Sequence, residues 1–240
     1  MGFGNSFGIS SETNNNIQTK GLVFYIDAAY KKSYPRSGTD WNSVVGNNSG
    51  SITNAVFDSN GHFVFTSDYV ICNNIASTIE DDSTGSIGFW FNFDEADGSN
   101  QYDCVFSLGK LSSNWNNNKY GVYINYGTAK LHFGLYSAAG SAGTDYGDAL
   151  SHSTDYHFTW SSTGKVYING VEHADISSTR WVDDLSAVDF LFLGAPGLLN
   201  NVYDGGQRFR GKLYSFSIYN KALTASDVLQ NYNAQKQRFG

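Results

Sequence analysis

Residues 120–136 have the sequence YGVYINYGTAKLHFGLY, and this stretch decides the fold prediction. In its second half every other residue is apolar, namely Leu131, Phe133 and Leu135. A period of two places these side chains on one face of a half-buried β-strand and His132 on the solvent side. Gly127 separates this run from residues 120–126, at a position where a tight turn favours a positive φ. The stretch therefore predicts two adjacent antiparallel strands.

Similar runs of aromatic and aliphatic residues continue along the chain from residue 21, separated by clusters of Gly, Asn, Ser and Asp. Each run predicts a strand, and Thr163-Gly164 predicts a second tight hairpin. The predicted strands are Leu22–Asp27, His62–Ile71, Ser86–Phe93, Tyr102–Leu108, Tyr120–Tyr126, Lys130–Tyr136, Tyr156–Ser161, Lys165–Asn169, Asp189–Gly194 and Lys212–Tyr219. Because no long helical pattern lies between them, a βαβ arrangement is excluded, and a two-sheet antiparallel jelly-roll sandwich is the favoured all-β fold. A β-barrel is the alternative.

One short C-terminal helix is predicted after the last strand. Thr224 and Asp227 have the spacing of a capping box. Val228, Leu229, Tyr232 and Gln235 follow at helical spacing. We expect the apolar side of this helix to pack on the sandwich.

The length and composition favour a single domain with an additional arm. The chain has 240 residues, of which 40% are hydrophobic and 16% aromatic. Sandwiches of roughly 200–250 residues often form one domain and can bury a core without disulfide or metal support. Residues 21–240 are therefore predicted to form one domain. Residues 1–20 are polar, Gly-rich and without periodicity, which predicts a flexible N-terminal arm that could order on a partner.

Charge and hydropathy argue against nucleic-acid and membrane partners. The net charge is −7 and the 15 basic residues are scattered, so we expect no nucleic-acid partner. No stretch approaches the roughly 18 consecutive apolar residues of a membrane span, and the N-terminus lacks the features of a signal peptide, so we expect neither insertion nor export by that route. Cys72 and Cys104 lie in apolar, strand-like runs and are predicted to be buried free thiols.

Three segments resemble the concanavalin A-like, laminin-G-like family of jelly-roll domains. They are GLVFYIDAA at 21–29 followed by SYP at 33–35 and WN at 41–42, YHFTW at 156–160 with VYING at 166–170, and FRGKLYSFSIYNKALT at 209–224. Their order and spacing extend the resemblance over residues 21–239. The resemblance implies the same two-sheet fold that the strand pattern predicts.

The segment 21–29 and the ending YNAQKQRFG at 232–240 are most similar to copies of this domain in structural proteins of tailed bacteriophages. This similarity implies a capsid decoration or fibre-type protein at the virion surface, assembled in the host cytoplasm. The N-terminal arm or a sheet edge would then contact other virion proteins, and the loops would contact host or environmental glycans. Because fibre and decoration proteins are often oligomeric, the similarity also implies a homo-oligomer.

A catalytic role is not expected. Some members of the wider superfamily are glycoside hydrolases, which need two facing carboxylates. This chain has only four scattered Glu residues: Glu12, Glu80, Glu95 and Glu172. Neither cysteine lies in a nucleophile motif, and the five histidines form no HExxH pair. His152 and His157 flank a turn and are predicted to be polar surface or strand-edge residues.

Candidate sugar-binding residues lie in two polar segments. Sugar sites combine exposed aromatic rings with amides and carboxylates that bind hydroxyl groups. Segment 112–120 supplies both, so Trp115, Asn116 and Tyr120 are candidate ligand-binding residues. A ring that covers the edge of the core is the alternative for Trp115. Tyr203, which also has polar neighbours, is a further candidate.

No cofactor is required by these patterns. If an ion binds, the family resemblance favours calcium, because laminin-G-like and legume-lectin-like domains often hold it with oxygen ligands on loops. Asp94, Asp97 and Asn100 offer such oxygens within one predicted loop and are the candidate ligands. They lack the one-three-five spacing of an EF-hand, and a solvated hairpin tip is the alternative.

Together, the pattern and the resemblance predict a non-enzymatic virion surface protein that attaches to the particle and contacts glycans. A cellular carbohydrate-binding or adhesion module is the main alternative, and an enzyme is the third. Within the first hypothesis, a purely structural decoration and a receptor-binding element are both open.

Overall fold

Two antiparallel β-sheets pack face to face in the described part of the chain. The computed structural model describes residues 16–72, 74–94, 101–110, 119–137, 140–197 and 207–240, with the backbone alone at 140–142. The strands are β1 Leu22–Asp27, β2 Asp40–Asn42, β3 Ser49–Thr53, β4 Val56–Asp58, β5 His62–Phe65, β6 Tyr69–Cys72, β7 Ser86–Phe93, β8 Tyr102–Gly109, β9 Lys119–Asn125, β10 Lys130–Ser137, β11 Gly140–Tyr146, β12 Tyr156–Ser161, β13 Lys165–Ile168, β14 Val171–Asp175, β15 Phe190–Leu193 and β16 Gly211–Tyr219. The other elements are the helices α1 Ala76–Ile79 and α2 Ala225–Phe239, and a 3-10 turn at Val182–Asp184.

Each sheet contains eight of the described strands. The front sheet has the order β11-β10-β9-β8-β15-β6-β3-β2. The back sheet has the order β14-β13-β12-β7-β16-β5-β4, and β1 also pairs with β16. One side of β16 pairs with β7, while the other side pairs first with β5 and then with β1. The described strands thus confirm the predicted all-β sandwich rather than a closed barrel.

Both predicted hairpins are confirmed. β9 and β10 pair with Leu131 opposite Ile124 and Phe133 opposite Val122, and all four side chains enter the core. β12 and β13 pair across the turn that contains Gly164, whose φ is +83°. Three predicted strands have the observed bounds: Leu22–Asp27, Ser86–Phe93 and Tyr156–Ser161.

The prediction of a single strand over His62–Ile71 is wrong. Residues 62–65 form β5 of the back sheet, whereas residues 69–72 form β6 of the front sheet. The Asp68 carboxylate accepts hydrogen bonds from the Thr66 N–H at 2.9 Å and from the Thr66 hydroxyl at 3.1 Å. These bonds close a turn that carries the chain from one sheet to the other.

The sequence analysis does not predict five of the strands or helix α1. β2 and β4 have only three residues each, which is too short for alternation to show. β11 has the sequence GSAGTDY, in which small residues replace the apolar positions of a typical strand. These elements are defined by their pairing with stronger neighbours rather than by their own sequence pattern.

Aromatic side chains fill the space between the sheets. Phe89 stacks on Phe158 with 4.4 Å between ring centroids and on Phe216 with 5.8 Å. Phe106 makes an edge contact with Phe89, with 5.8 Å between the two ring centroids. Each such pair contributes about 0.5–1.5 kcal/mol beyond its area of burial. Burial raises the pKa of the Cys72 thiol to about 12. The two cysteines are buried and free, as predicted: Cys72 and Cys104.

Helix α2 covers the outer face of the back sheet. Its predicted capping box is confirmed, because the Thr224 hydroxyl accepts from the Asp227 N–H at 3.2 Å and the Asp227 carboxylate accepts from the Thr224 N–H at 3.1 Å. Gln235 accepts a hydrogen bond from Trp90 Nε1 at 2.9 Å and donates one to the Tyr25 hydroxyl at 2.8 Å. The helix is therefore held on the sheet by polar contacts as well as by apolar packing.

The buried side of α2 differs from the predicted apolar stripe. Leu229 is 45% exposed, whereas the buried positions are Val228, Asn231, Gln235 and Phe239. The end of the predicted arm also contacts this helix: the Gln18 N–H donates to the Asn231 side chain at 2.6 Å, and the Gln18 amide donates to Asp227 at 2.8 Å. The rest of the predicted arm, residues 1–15, lies outside the described residues.

Candidate functional site

The outer face of the front sheet contains a row of three glycines. Gly134 of β10 pairs with Gly121 of β9 on one side and with Gly143 of β11 on the other. The residues before and after Gly134 face the core, so the alternation of the strand turns Gly134 outward. A Cβ atom at Gly134 would lie 3.0 Å from the ring of Tyr136 and 3.3 Å from the ring of Tyr123. The absent side chain lets these two rings lie close to the sheet backbone.

Aromatic side chains surround this glycine row. The His132 ring centroid lies 4.5 Å from that of Tyr102 and 6.1 Å from that of Tyr123. Tyr123 is only 7% exposed, whereas Tyr102, His132 and Tyr136 are half-buried. The buried Tyr123 thus packs against His132, and three rings of this group are partly accessible from outside.

Asp145 of β11 adds a polar network to these rings. Its carboxylate bonds to His132 Nδ1 at 2.8 Å, to Asn125 Nδ2 at 2.7 Å and to the Thr128 hydroxyl at 2.8 Å. Burial raises the pKa of Asp145, but the hydrogen bonds outweigh burial and hold that pKa below its usual value, so the group is ionised at neutral pH. The front face is hereafter the set Tyr102, Tyr123, Asn125, His132, Tyr136, Gly143 and Asp145.

The hairpin between β9 and β10 positions part of this network. Asn125 is the last residue of β9, and its side-chain oxygen accepts the N–H of Gly127 at 2.9 Å. This contact leaves the amide nitrogen of Asn125 directed at Asp145. His132 lies on the outer side of β10, as predicted, although its side chain is only 16% exposed.

A second polar cluster lies where β7 ends and β8 begins. Asp103, whose side chain is fully buried, accepts from Arg210 Nε at 3.0 Å and from the Tyr126 hydroxyl at 2.8 Å. Burial raises the pKa of Asp103, while the bonds from Tyr126 and Arg210 oppose that rise. Asp94 is exposed beside this cluster, and its N–H donates to the Arg210 carbonyl at 3.1 Å.

Tyr120 lies in the core and not at the surface. Its side chain is 1% exposed, and its ring centroid lies 6.0 Å from that of Trp160. Residue 120 occupies the inward position of β9 next to Lys119, so its ring offers no free face to a sugar. The remaining candidates apart from Asp94 lie outside the described residues and stay predictions: Trp115, Asn116, Tyr203, Asp97 and Asn100.

The surface position predicted for His157 is wrong. Its side chain is 3% exposed and lies beneath α2, with ring centroids 5.3 Å from Trp90 and 6.2 Å from Tyr232. Burial lowers the pKa of His157 to about 3, so the ring is neutral. His152 is half-buried, with its ring 5.3 Å from that of Phe93. Alternation along β12 indicates that the His157 side chain faces away from the core. It gives no sign that α2 covers that outer face.

The sequence contains part of the signal for the front face. Alternation in residues 120–136 places Tyr123, Asn125, His132 and Tyr136 on the solvent side, although sequence analysis assigns only His132 to it. Asp145 lies on β11, whose sequence has no apolar alternation, and its contact with His132 depends on pairing between strands.

Two negative findings apply to the described residues. They contain no group of three His, Cys, Asp or Glu side chains placed to hold a metal ion. None of their helices combines the length and the apolar character needed to cross a bilayer. The calcium prediction, which includes Asp97 and Asn100, stays a prediction.

Residues 64–229 match the model of the concanavalin A-like lectin/glucanases superfamily. The chain belongs to this superfamily. The matched range includes the whole front face and most strands of both sheets. No match was found among curated proteins.

Two solved structures have the same fold as this chain at low sequence identity. A Trypanosoma rangeli sialidase in complex with 2,3-difluorosialic acid has a TM-score of 0.69 and 16% identity, over 92% of this chain and 34% of the sialidase. The CBM40 of a Ruminococcus gnavus IT-sialidase, bound to α2,3-sialyllactose, has a TM-score of 0.53 and 17% identity, over 64% of this chain and 84% of the CBM40. This chain therefore corresponds to a minor part of the sialidase, and both likenesses concern the fold.

Proposed function

We propose that this protein binds carbohydrate without hydrolysing it, and that the front face is a binding surface. The observation that carries the proposal is the combination of partly exposed rings with the ionised Asp145 in one network. Aromatic rings bury the apolar faces of sugars, and a few fixed polar groups bind the hydroxyl groups and set the orientation.

The placement of the carboxylates supports binding over hydrolysis. Glycoside hydrolases use two carboxyl groups roughly 5–9.5 Å apart across the bond that breaks. Glu172 lies on β14 of the back sheet and bonds to Lys165 at 2.7 Å, and Glu80 follows helix α1. Glu12 and Glu95 lie outside the described residues. Neither described glutamate belongs to the front face, and the carboxylate of Asp103 is fully buried and bonded to Arg210 and Tyr126.

The comparisons support the carbohydrate part of the proposal at a coarse level. The superfamily name joins lectins with glucanases, and both solved structures named above are bound to sialic acid compounds. The CBM40 is the more relevant likeness, because most of its length corresponds to this chain.

We further propose a place on the surface of a phage particle, as a capsid decoration or fibre-type protein. Support comes from the sequence similarity of residues 21–29 and 232–240 to phage structural proteins. Attachment would use the N-terminal arm or a sheet edge, in a homo-oligomer, and the arm would leave the domain beside α2, where residues 16–18 are bound. A cellular carbohydrate-binding module is the second candidate, since the front face would serve it equally.

A glycan array tests the carbohydrate proposal. The intact protein is expected to bind a subset of glycans, and His132→Ala is expected to remove that binding. His62→Ala is the matched control, because His62 is a histidine on β5 of the back sheet whose ring packs on Tyr214. Equal glycan binding by wild type and His132→Ala would exclude the front face as the binding site. Absence of glycan binding by wild type would exclude carbohydrate binding as the function. Arrays with and without calcium test the loop of Asp94.

Particle purification tests the virion proposal. Mass spectrometry of phage particles purified from infected cells should find this chain in a fixed ratio to the major coat protein. Its recovery only in the soluble fraction would favour the cellular module.

A further inference from the structure

Resting on the proposed carbohydrate binding, we infer that the front face binds neutral sugars through their hydroxyl groups and rejects sugars that carry a carboxylate or sulfate. The atoms of the front face that retain hydrogen-bonding capacity decide this ligand class. Two of them belong to His132 and Asp145.

His132 presents an acceptor atom. Of the two neutral tautomers of His132, the one protonated at Nδ1 is favoured, because Nδ1 lies 2.8 Å from the ionised Asp145 carboxylate. Its Nε2 then carries a lone pair and accepts a hydrogen bond. Asp145 thereby sets the tautomer of His132.

Asp145 presents a second acceptor on the opposite side of the His132 ring, because it bonds to Nδ1 and not to Nε2. An ionised carboxylate has about four acceptor positions. One Asp145 oxygen accepts from His132, and the other accepts from Asn125 and Thr128. One position therefore stays available on the oxygen nearest to His132, and the side chain is 21% exposed. Bonds from hydroxyl donors to such a charged acceptor are stronger than those between neutral groups.

Gly143 leaves the space in which a ligand would reach His132 Nε2. Gly143 is exposed on the edge strand β11. A Cβ atom at this position would lie 3.2 Å from the Tyr136 hydroxyl and 3.4 Å from His132 Nε2. The two polar atoms thus converge above a residue that has no side chain. Tyr136 flanks this space and supplies apolar ring surface for the sugar, and Tyr102 packs on the His132 ring.

The same atoms disfavour an anionic ligand. A sugar hydroxyl can donate to His132 Nε2 or to Asp145, whereas a carboxylate or sulfate has no proton to donate and is repelled by the charge of Asp145. The Tyr136 hydroxyl can donate to either kind of ligand and does not discriminate between them. Asp145 owes its low pKa to a histidine and two neutral side chains rather than to a lysine or arginine. Of the lysines on this side of the sheet, Lys119 is 3% exposed and Lys130 is half-buried. The net charge of −7 adds long-range repulsion.

The ligand class is tested with paired glycans. Neutral oligosaccharides and the same oligosaccharides capped with sialic acid or sulfate are titrated into the intact protein by calorimetry. We expect the neutral member of a bound pair to bind at least about tenfold more tightly. Equal or tighter binding of the anionic members would overturn the inference while leaving carbohydrate binding intact.

Gly143→Ala tests the site itself. The added methyl group fills the space beside Tyr136 and His132 without removing a polar atom, so affinity should fall at least about tenfold with the fold retained. Thr144→Ala, the next residue of the same edge strand, is the control and should bind as wild type does. Unchanged binding by Gly143→Ala would overturn the inference.

Asp145→Asn provides a readout that a merely structural role would not change. Removing the negative charge should weaken binding of the neutral glycan. It should also reduce the difference in affinity between the neutral and the anionic glycan. Melting temperatures of all variants confirm that each one is folded. Binding that is lost in Trp115→Ala but retained in Gly143→Ala and Asp145→Asn would assign the sugar to the loop and overturn the front-face site. Absence of binding to every glycan by wild type would overturn the proposed function and this inference together.

Discussion

His157 is a neutral histidine enclosed by aromatic rings and by α2. Burial lowers its pKa from 6.5 to about 3, so the folded protein does not bind the proton that the unfolded chain binds below pH 6.5. Its contribution to stability is therefore complete above pH 6.5 and declines as the pH falls from 6.5 towards 3. The slope from this one group is about 1.4 kcal/mol per pH unit.

Replacing His157 by Phe should reduce this pH dependence. Phe packs between Trp90 and Tyr232 without an ionisable group, while the backbone N–H of residue 157 keeps its bond to Asn169 at 2.8 Å. Urea unfolding at pH 7 and pH 4.5 measures the effect. The variant should lose less stability than wild type between the two values, and equal losses would contradict the assignment.

The turn at Asp68 decides whether residues 62–72 form one strand or two. Asp68→Ala removes the acceptor of the Thr66 N–H and hydroxyl and should destabilise the fold by about 1–2 kcal/mol. Asp68→Asn keeps one side-chain oxygen and serves as the control, with a smaller loss expected. Thermal unfolding measures the loss of stability in each variant. Equal losses would show that the negative charge of Asp68, and not its hydrogen bonds in the turn, stabilises the fold.

At the scale of elements, α2 depends on its N-terminal cap. Thr224→Ala removes the hydroxyl that accepts the Asp227 N–H and should cost about 1 kcal/mol. Thr224→Ser retains this bond and should cost much less. Chemical denaturation followed by circular dichroism distinguishes the two variants. A Ser variant as unstable as the Ala variant would assign the loss to the Thr224 methyl group.

Elements with strong local patterns could be predicted from the sequence, and elements defined by their neighbours could not. The hairpin of β9 and β10 was predictable because its apolar residues alternate and Gly127 marks its turn. β11 was not, because it forms by pairing with β10. The front face was partly predictable for the same reason: β9 and β10 supply its rings, whereas β11 supplies Asp145.

At the scale of the whole molecule, stability depends on rings shared between the two sheets. Phe89→Ala removes the ring that stacks on Phe158 and Phe216, and should cost about 3–5 kcal/mol. Phe57→Ala is the control, because Phe57 is half-buried on the short edge strand β4 and should cost less. Urea unfolding should show a lower midpoint with an unchanged slope. Similar losses of stability in the two variants would indicate that buried rings contribute equally throughout the core.

The two-sheet class was predictable from the number and spacing of the strands, but the assignment of each strand to a sheet was not. His62–Ile71 illustrates the difference, since its apolar pattern continues across a change of sheet. His157 illustrates the corresponding limit for burial, because only the packed helix shows that the outer side of β12 is covered.

The position of β16 determines when the protein can fold during synthesis. β16 contains residues 211–219 and lies between β7 on one side and both β5 and β1 on the other, and it follows all three of these strands in the sequence. A growing chain therefore holds unpaired edges on three earlier strands until the ribosome has released this last strand. Because these long-range contacts require β16, the back sheet is completed only after residues 211–219 have left the ribosome. A chain terminated before residue 211 would keep those edges open and would be prone to aggregate through them.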